Sequence, residues 1–84
     1  MKHYLVLAMR NADFDEGVIG PHLKFLDVLR AQGKLETTGG FSDRSGGAYV
    51  LLADTMAEAQ ALVDADPLAT SGSSSMTVYE WNIR

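Results

Sequence analysis

Apolar residues fall into separate blocks along the chain, with polar and glycine-rich stretches between them. Three apolar blocks and one more polar stretch have the length and composition of strands, at residues 3–10, 34–38, 48–53 and 76–83. Two further segments, which follow Gly20 and Thr55, place apolar residues at three- and four-residue steps, as helices do. The pattern therefore predicts the order β-α-β-β-α-β.

Local signals set the ends of both predicted helices. Pro21 is tolerated in a first helical turn, and Gly33 is a typical residue just beyond a helix end. Thr55 and Glu58 have the spacing of a capping box. The second helix should end near Asp66 because the proline that follows disfavours α geometry there. A serine-rich loop should then lead to the last strand.

This element order is that of the ferredoxin-like α+β fold, a four-stranded antiparallel sheet with two helices on one face. The first and third strands are nevertheless apolar on both faces, as the runs from Tyr4 to Met9 and from Ala48 to Ala53 show. A single copy would expose one face as a large apolar patch. We therefore expect a homodimer that packs through its sheet faces. The alternative is that the strands are merely hydrophobic and the chain packs elsewhere.

Composition narrows the classes of function. The chain has 84 residues, which predicts one domain over residues 1–84. A net charge of −4 without a basic cluster argues against nucleic-acid binding. The apolar run that begins at Tyr4 is too short to span a membrane and lacks the pattern of a signal peptide. With no cysteine and two histidines, we expect a cytoplasmic protein without a metal site.

Two side chains are candidates for chemistry. His22 lies three, four and seven residues from Phe25, Leu26 and Leu29, which places its imidazole at the edge of the apolar stripe. Such a ring is a plausible general base, although a histidine bonded to a backbone carbonyl is the simpler interpretation. Asp66 falls on the buried stripe of the second helix, at an end where the helix dipole opposes its charge. A hydrogen bond from His22 would explain it, and so would a local turn before the proline.

The glycine-rich loop at residues 39–47 contains weaker candidates. Asp43 lies on a turn whose backbone N–H groups can face an anion, although a plain hairpin loop is the alternative. Ser42 and Gly40 lie in the same loop, and a serine nucleophile is unsupported because no histidine is adjacent in sequence. We predict Asp43, Ser42, Gly40 and Arg10 as substrate-binding residues.

The ordered segments HLKFLDVLRAQGKLETTGGFSD, GGAYVLLA, EAQALVDADP and VYEWN resemble the YciI-like proteins of the dimeric α/β-barrel superfamily. The resemblance covers the chain from Tyr4 to Asn82. It implies a ferredoxin-like fold paired through the sheets, with a pocket near a His/Asp pair. By position the pair is His22 and Asp66, and Asp43 matches the acid of the FSD segment. At least one relative resembles a lyase that removes halide from a hydroxylated aromatic ring, and the wider superfamily includes muconolactone isomerases. The resemblance therefore implies an enzyme that needs no metal or organic cofactor.

The chain also departs from the family pattern. Family members often carry an arginine shortly before the helix histidine, and Gly39-Gly40 replaces a usual Gly-Pro. Arg10 or Arg44 is then the candidate partner for an anionic substrate. The resulting hypothesis is a cofactor-independent lyase or isomerase that removes a proton from a small hydroxylated or lactone-like substrate. The alternatives are a non-catalytic small-molecule-binding or accessory module and a purely structural dimer.

Overall fold

The computed structural model describes every residue from Met1 to Arg84. The strands are β1 (Lys2–Arg10), β2 (Leu35–Gly40), β3 (Gly46–Ala53) and β4 (Ser74–Glu80). The helices are α1 (Ile19–Ala31), α2 (Met56–Asp64) and the short α3 (Pro67–Thr70), and a 3₁₀ turn at Glu16–Val18 precedes α1.

The four strands form one sheet in the order β2-β3-β1-β4, and each neighbouring pair is antiparallel. The helices pack on one face, so the predicted α+β, ferredoxin-like arrangement is confirmed. None of the helices combines the length and the apolar character that a membrane crossing requires.

The core lies between the helices and one face of the sheet. Alternate residues of β1 and β3 supply its floor, and apolar residues of α1 and α2 cover them. Its ten buried members are Tyr4, Val6, Leu26, Leu29, Leu35, Tyr49, Leu51, Ala53, Ala59 and Val63. The opposite face is also apolar but is not covered within this chain, since Leu5 and Leu7 of β1 remain partly exposed.

The predicted helix ends are mostly confirmed. Gly33 adopts a φ of 73° after α1, and the Lys34 amide donates to the Leu29 carbonyl at 2.9 Å, which closes the last turn. At the start of α2, the Glu58 amide donates to the Thr55 hydroxyl at 3.1 Å. The Glu58 carboxylate reaches back to an amide one residue earlier than a standard capping box would place it, that of Asp54.

The segment after α2 differs from the prediction. Helix α2 ends at Asp64, and a short helix begins at Pro67 where part of a serine-rich loop was expected. Asp66 has extended backbone geometry (φ −65°, ψ 131°) and caps the start of α3. The expectation that a helix dipole opposes this carboxylate is therefore wrong, because the side chain accepts a hydrogen bond at a helix N-terminus.

Glycines allow β2 and β3 to approach closely beside their connecting turn. Gly40 pairs with Gly47 across the two strands. A β-carbon added at Gly47 would lie 2.5 Å from the carbonyl oxygen of Gly39, whereas one added at Gly39 would meet nothing within 4 Å. Only one of these two neighbouring positions therefore excludes a side chain.

We predict that Gly47→Ala lowers the free energy of unfolding by about 1–3 kcal/mol, because the two strands must separate to admit the methyl group. The matched change Gly39→Ala should alter it by less than about 0.5 kcal/mol. Urea denaturation of both variants tests this expectation. Equal stabilities would contradict the close approach at Gly47.

Candidate active site

The structure brings His22 and Asp66 together. His22 projects from α1 towards the junction between α2 and α3, and its Nδ1 lies 2.8 Å from Oδ1 of Asp66. The aspartate side chain is fully buried and the histidine side chain is 14% exposed. One partner is therefore sealed in the protein, and the other keeps an edge that a ligand can reach.

The Asp66 carboxylate accepts hydrogen bonds from three different elements. Besides His22, the Leu68 amide at the start of α3 donates to Oδ1 at 2.9 Å, and the Tyr49 hydroxyl of β3 donates to Oδ2 at 2.7 Å. The two sequence-based explanations for Asp66, a histidine partner and a local turn before the proline, thus both hold.

This arrangement determines the hydrogen-bonding state of the imidazole. The Leu68 amide and the buried Tyr49 hydroxyl both donate to Asp66, which suits an ionised carboxylate because that group can only accept hydrogen bonds. Nδ1 of His22 must then carry its proton. Nε2 remains as the ring nitrogen that can take a proton from a ligand, as a general base requires.

Tyr49 is a site residue that the sequence reasoning missed. Its side chain is 2% exposed, and its ring centroid lies 6.0 Å from that of His22. Burial, reinforced by the negative charge of Asp66, raises the pKa of Tyr49 far above its ordinary value, so the hydroxyl remains a donor. The available signal was its alternation with Leu51, which places a tyrosine hydroxyl on the covered face, where it needs a partner.

His22 and Tyr49 line a cavity of about 240 Å³ between α1 and the sheet. Its walls are largely apolar, and its other side-chain polar groups belong to Arg10, Thr38 and Ser74. A mostly apolar cavity with a few convergent polar groups is typical of a small-molecule site. Leu23 of α1 also lines this cavity and is 53% exposed.

Arg10 is the positively charged residue of the cavity wall. Its guanidinium carbon lies 4.2 Å from the centre of the Phe14 ring, which holds the group by a cation–π contact. None of the four ion pairs in the structure involves it. The charge is therefore available to an anionic ligand.

The predicted loop residues divide into two groups. Gly40 lines the cavity together with Gly39, whereas Ser42 and Asp43 do not. Asp43 instead accepts from the Ser45 hydroxyl at 2.6 Å and from the Ser45 amide at 2.9 Å, and these bonds lower the pKa of the Asp43 carboxyl. In this chain Asp43 thus stabilises the turn between β2 and β3, as a plain hairpin loop would require.

The second histidine, His3 of β1, has its Nε2 3.1 Å from a carboxylate oxygen of Glu36. No group of three or more His, Cys, Asp or Glu side chains is placed to hold a metal ion.

Together, the fold and the cavity define a small ferredoxin-like α+β protein with a buried His/Asp pair beside a ligand-sized cavity. Comparison with known proteins agrees with this class. The chain belongs to the family described as the YCII-related domain, whose family model matches residues 1–82.

Two known proteins are similar to this chain, one in sequence and one in fold. The uncharacterized protein YjpA of Bacillus subtilis (strain 168) is 45% identical over 84 residues, covering 100% of this chain and 99% of that protein. The fold is also similar to that of TftG from Burkholderia phenoliruptrix AC1100, a 5-chloro-2-hydroxyhydroquinone dehydrochlorinase solved in complex with 2,5-dihydroxybenzoquinone. That match has a TM-score of 0.75 and 22% identity, and it covers 95% of this chain and 93% of that one.

The raised pKa of Tyr49 predicts a loss of stability at alkaline pH. A tyrosine in the unfolded chain loses its proton at about pH 10, while the buried hydroxyl keeps it. Above that pH the contribution of Tyr49 to the free energy of unfolding should fall by up to about 1.4 kcal/mol per pH unit.

Urea denaturation between about pH 9 and pH 11 measures this slope, since the range brackets the titration of an unfolded tyrosine. Tyr49→Phe should make the decline shallower but not abolish it, because burial also raises the pKa of Tyr4. A slope that Tyr49→Phe leaves as steep as that of the wild type would contradict the burial of this hydroxyl.

Proposed function

We propose that this protein is a cofactor-independent lyase or isomerase that removes a proton from a small hydroxylated or lactone-like substrate. The observation that carries the proposal is the 2.8 Å contact between His22 and Asp66 at the wall of the cavity. An imidazole held in this way is oriented by a carboxylate and presents its second nitrogen to the ligand, as a general base must.

In the proposed reaction, Nε2 of His22 takes a proton from a hydroxyl or carbon of the substrate. The electron pair that is released moves into the substrate and places negative charge on an oxygen. Asp66 stabilises the imidazolium that forms. For a lyase, the electrons then expel a leaving group such as halide; for an isomerase, His22 returns the proton to another carbon. Proton transfer of this kind requires no cofactor.

Arg10 is the proposed partner for the developing negative charge. It faces the cavity without a carboxylate neighbour, and its position against Phe14 fixes the guanidinium before a ligand arrives. The backbone N–H groups of residues 39–42 are less suitable than the sequence suggested. The Phe41 amide already donates to the Gly46 carbonyl at 2.8 Å, and Ser42 lies outside the cavity wall.

The substrate class has support from the cavity and from one similar structure. A volume of about 240 Å³ with apolar walls suits a single ring bearing a few oxygen atoms. TftG, which shares the fold, is a dehydrochlorinase of a chlorinated hydroxyhydroquinone and was solved with a dihydroxybenzoquinone. Small hydroxylated rings are therefore the first compounds to test.

The test is turnover of a panel of hydroxylated ring and lactone compounds, beginning with 5-chloro-2-hydroxyhydroquinone and its release of chloride. We expect the wild type to convert a member of the panel. His22→Ala and Asp66→Asn should each lower turnover by at least about 100-fold, since general-base catalysis supplies about that factor or more. Asp64→Asn, an exposed change near the end of α2, is the matched control and should leave turnover unchanged.

Two results would contradict the proposed function. Unchanged turnover in both His22→Ala and Asp66→Asn would show that the pair is not the catalytic unit. A compound that raises the melting temperature of the protein but is always recovered unaltered would instead indicate a non-catalytic binding module.

We also propose that two copies pack through their open sheet faces. The strand register places Leu5 of β1 between Val50 of β3 and Tyr79 of β4 on this face. Tyr79 is 51% exposed and Trp81 is 45% exposed. A second cavity of about 320 Å³, lined by Leu5, Val50 and Trp81 among others, adds to this apolar surface. A chain of only 84 residues buries little apolar surface by itself. Packing this face against a second copy would bury more of it.

A charged residue at the centre of this face should separate the two copies. Leu7 lies between Ala48 and Thr77 on the open face, so Leu7→Arg should give a monomer by light scattering coupled to gel filtration. Val28→Arg is the matched control, since Val28 is an exposed apolar residue of α1 on the other side of the molecule. A wild type that is already monomeric, or a dimer that survives Leu7→Arg, would contradict the proposed interface.

A further inference from the structure

Tyr49 takes no part in the proposed proton removal, yet it is hydrogen-bonded to one member of the proposed catalytic pair. Its hydroxyl donates to Oδ2 of Asp66 at 2.7 Å, whereas His22 and the Leu68 amide share Oδ1. The hydroxyl has no other hydrogen-bond partner. Tyr49 is thus the only hydrogen-bond donor to Oδ2, while His22 shares Oδ1 with the Leu68 amide.

Hydrogen bonds to a carboxylate withdraw negative charge from it and make it a weaker acceptor towards its other partners. The strong donor on Oδ2 should therefore reduce the attraction between Asp66 and protonated His22. Without that donor, the carboxylate would hold the imidazolium more tightly, and the ring would give up its proton at a higher pH.

The other charged groups near His22 do not act on the ring through Asp66. Arg10 of β1 lines the same cavity as the ring, but it forms no ion pair with Asp66. The charged residues of α1 itself, Lys24, Asp27 and Arg30, are exposed, and the last two pair with each other at 2.9 Å. Asp66 and Tyr49 are the remaining titratable groups in contact with the ring or with its partner.

We propose that Tyr49 is a positioning residue that fixes the Asp66 carboxylate and tunes, through it, the pH at which His22 becomes a free base. The proposal rests on the proposed function for its purpose, since a base must be unprotonated at working pH. The effect of Tyr49 on the titration of His22 does not require a substrate and can be measured without one. Tyr49 acts on the ring through the carboxylate and is not itself a catalytic group.

The test is Tyr49→Phe, which removes the hydroxyl and keeps the ring. NMR titration of the His22 ring protons should show its midpoint shifted upward by about half a pH unit or more relative to the wild type. Tyr4→Phe is the matched control, because Tyr4 is an equally buried tyrosine on the same face whose hydroxyl has no hydrogen-bond partner. This control should leave the midpoint in place.

Two further variants keep the proposal falsifiable if Tyr49→Phe folds poorly. Replacing Tyr49 by 3-fluorotyrosine strengthens the donor without removing it, and the His22 midpoint should then move downward. In an Asp66→Asn background, adding Tyr49→Phe should produce no further shift, because the charge through which Tyr49 acts is gone. An unchanged midpoint in both single Tyr49 variants, or an equal shift when the carboxylate is already absent, would overturn the proposal.

Kinetics separates this proposal from the proposed function. If a substrate is turned over, the acid limb of the pH–rate profile should move with the NMR midpoint in Tyr49→Phe. A shifted midpoint without turnover of any compound would support the role of Tyr49 and count against catalysis. Normal turnover in Tyr49→Phe, with the NMR midpoint and the acid limb both unshifted, would support catalysis and contradict the role of Tyr49.

Discussion

The candidate site depends on the hydrogen bonds that the buried carboxylate of Asp66 accepts. A buried, ionised aspartate is tolerated only when donors replace the water it has lost. Asp66 has three such donors, which come from α1, from β3 and from the start of α3. Because each donor belongs to a different element, the carboxylate also fixes how helix and sheet meet beside the cavity. The site and the local packing are therefore one arrangement, and a change in any donor should affect both.

The sheet separates the His22 cavity from the open apolar face. Its helix-covered face carries Tyr49 beside the His22 cavity, while its open face carries Leu5 and Leu7. Both cavities include Gly39 and Gly40 at the end of β2, where the absence of side chains thins the wall between the two faces. The proposed interface would thus lie close to the cavity without supplying its base, which comes from α1 of the same chain.

Much of the fold follows from short-range patterns in the sequence. The apolar runs, Gly33 and the Thr55 cap locate the main elements because each signal acts within one element. Asp66 was recognisable as a site residue because an acid on an apolar stripe needs a partner. Tyr49 was not, since its link to Asp66 joins residues 17 positions apart and a tyrosine is an ordinary residue within a strand. Helix α3 was not predicted, because Pro67 was interpreted only as the signal that ends the preceding helix. The structure shows that Pro67 also begins a new helix. Asp43 matched a family position, but its contacts with Ser45 depend on turn geometry that spacing alone does not specify.

Asp66 fixes the proton of His22 on Nδ1 and leaves Nε2 free to accept a proton. The ring ¹⁵N chemical shifts of His22, followed across its titration in the wild-type protein, test this most directly. We predict that Nδ1 stays protonated throughout and that the large change on deprotonation occurs at Nε2. A neutral ring with its proton on Nε2 would contradict the account, because Nδ1 would then have no proton to donate to the carboxylate.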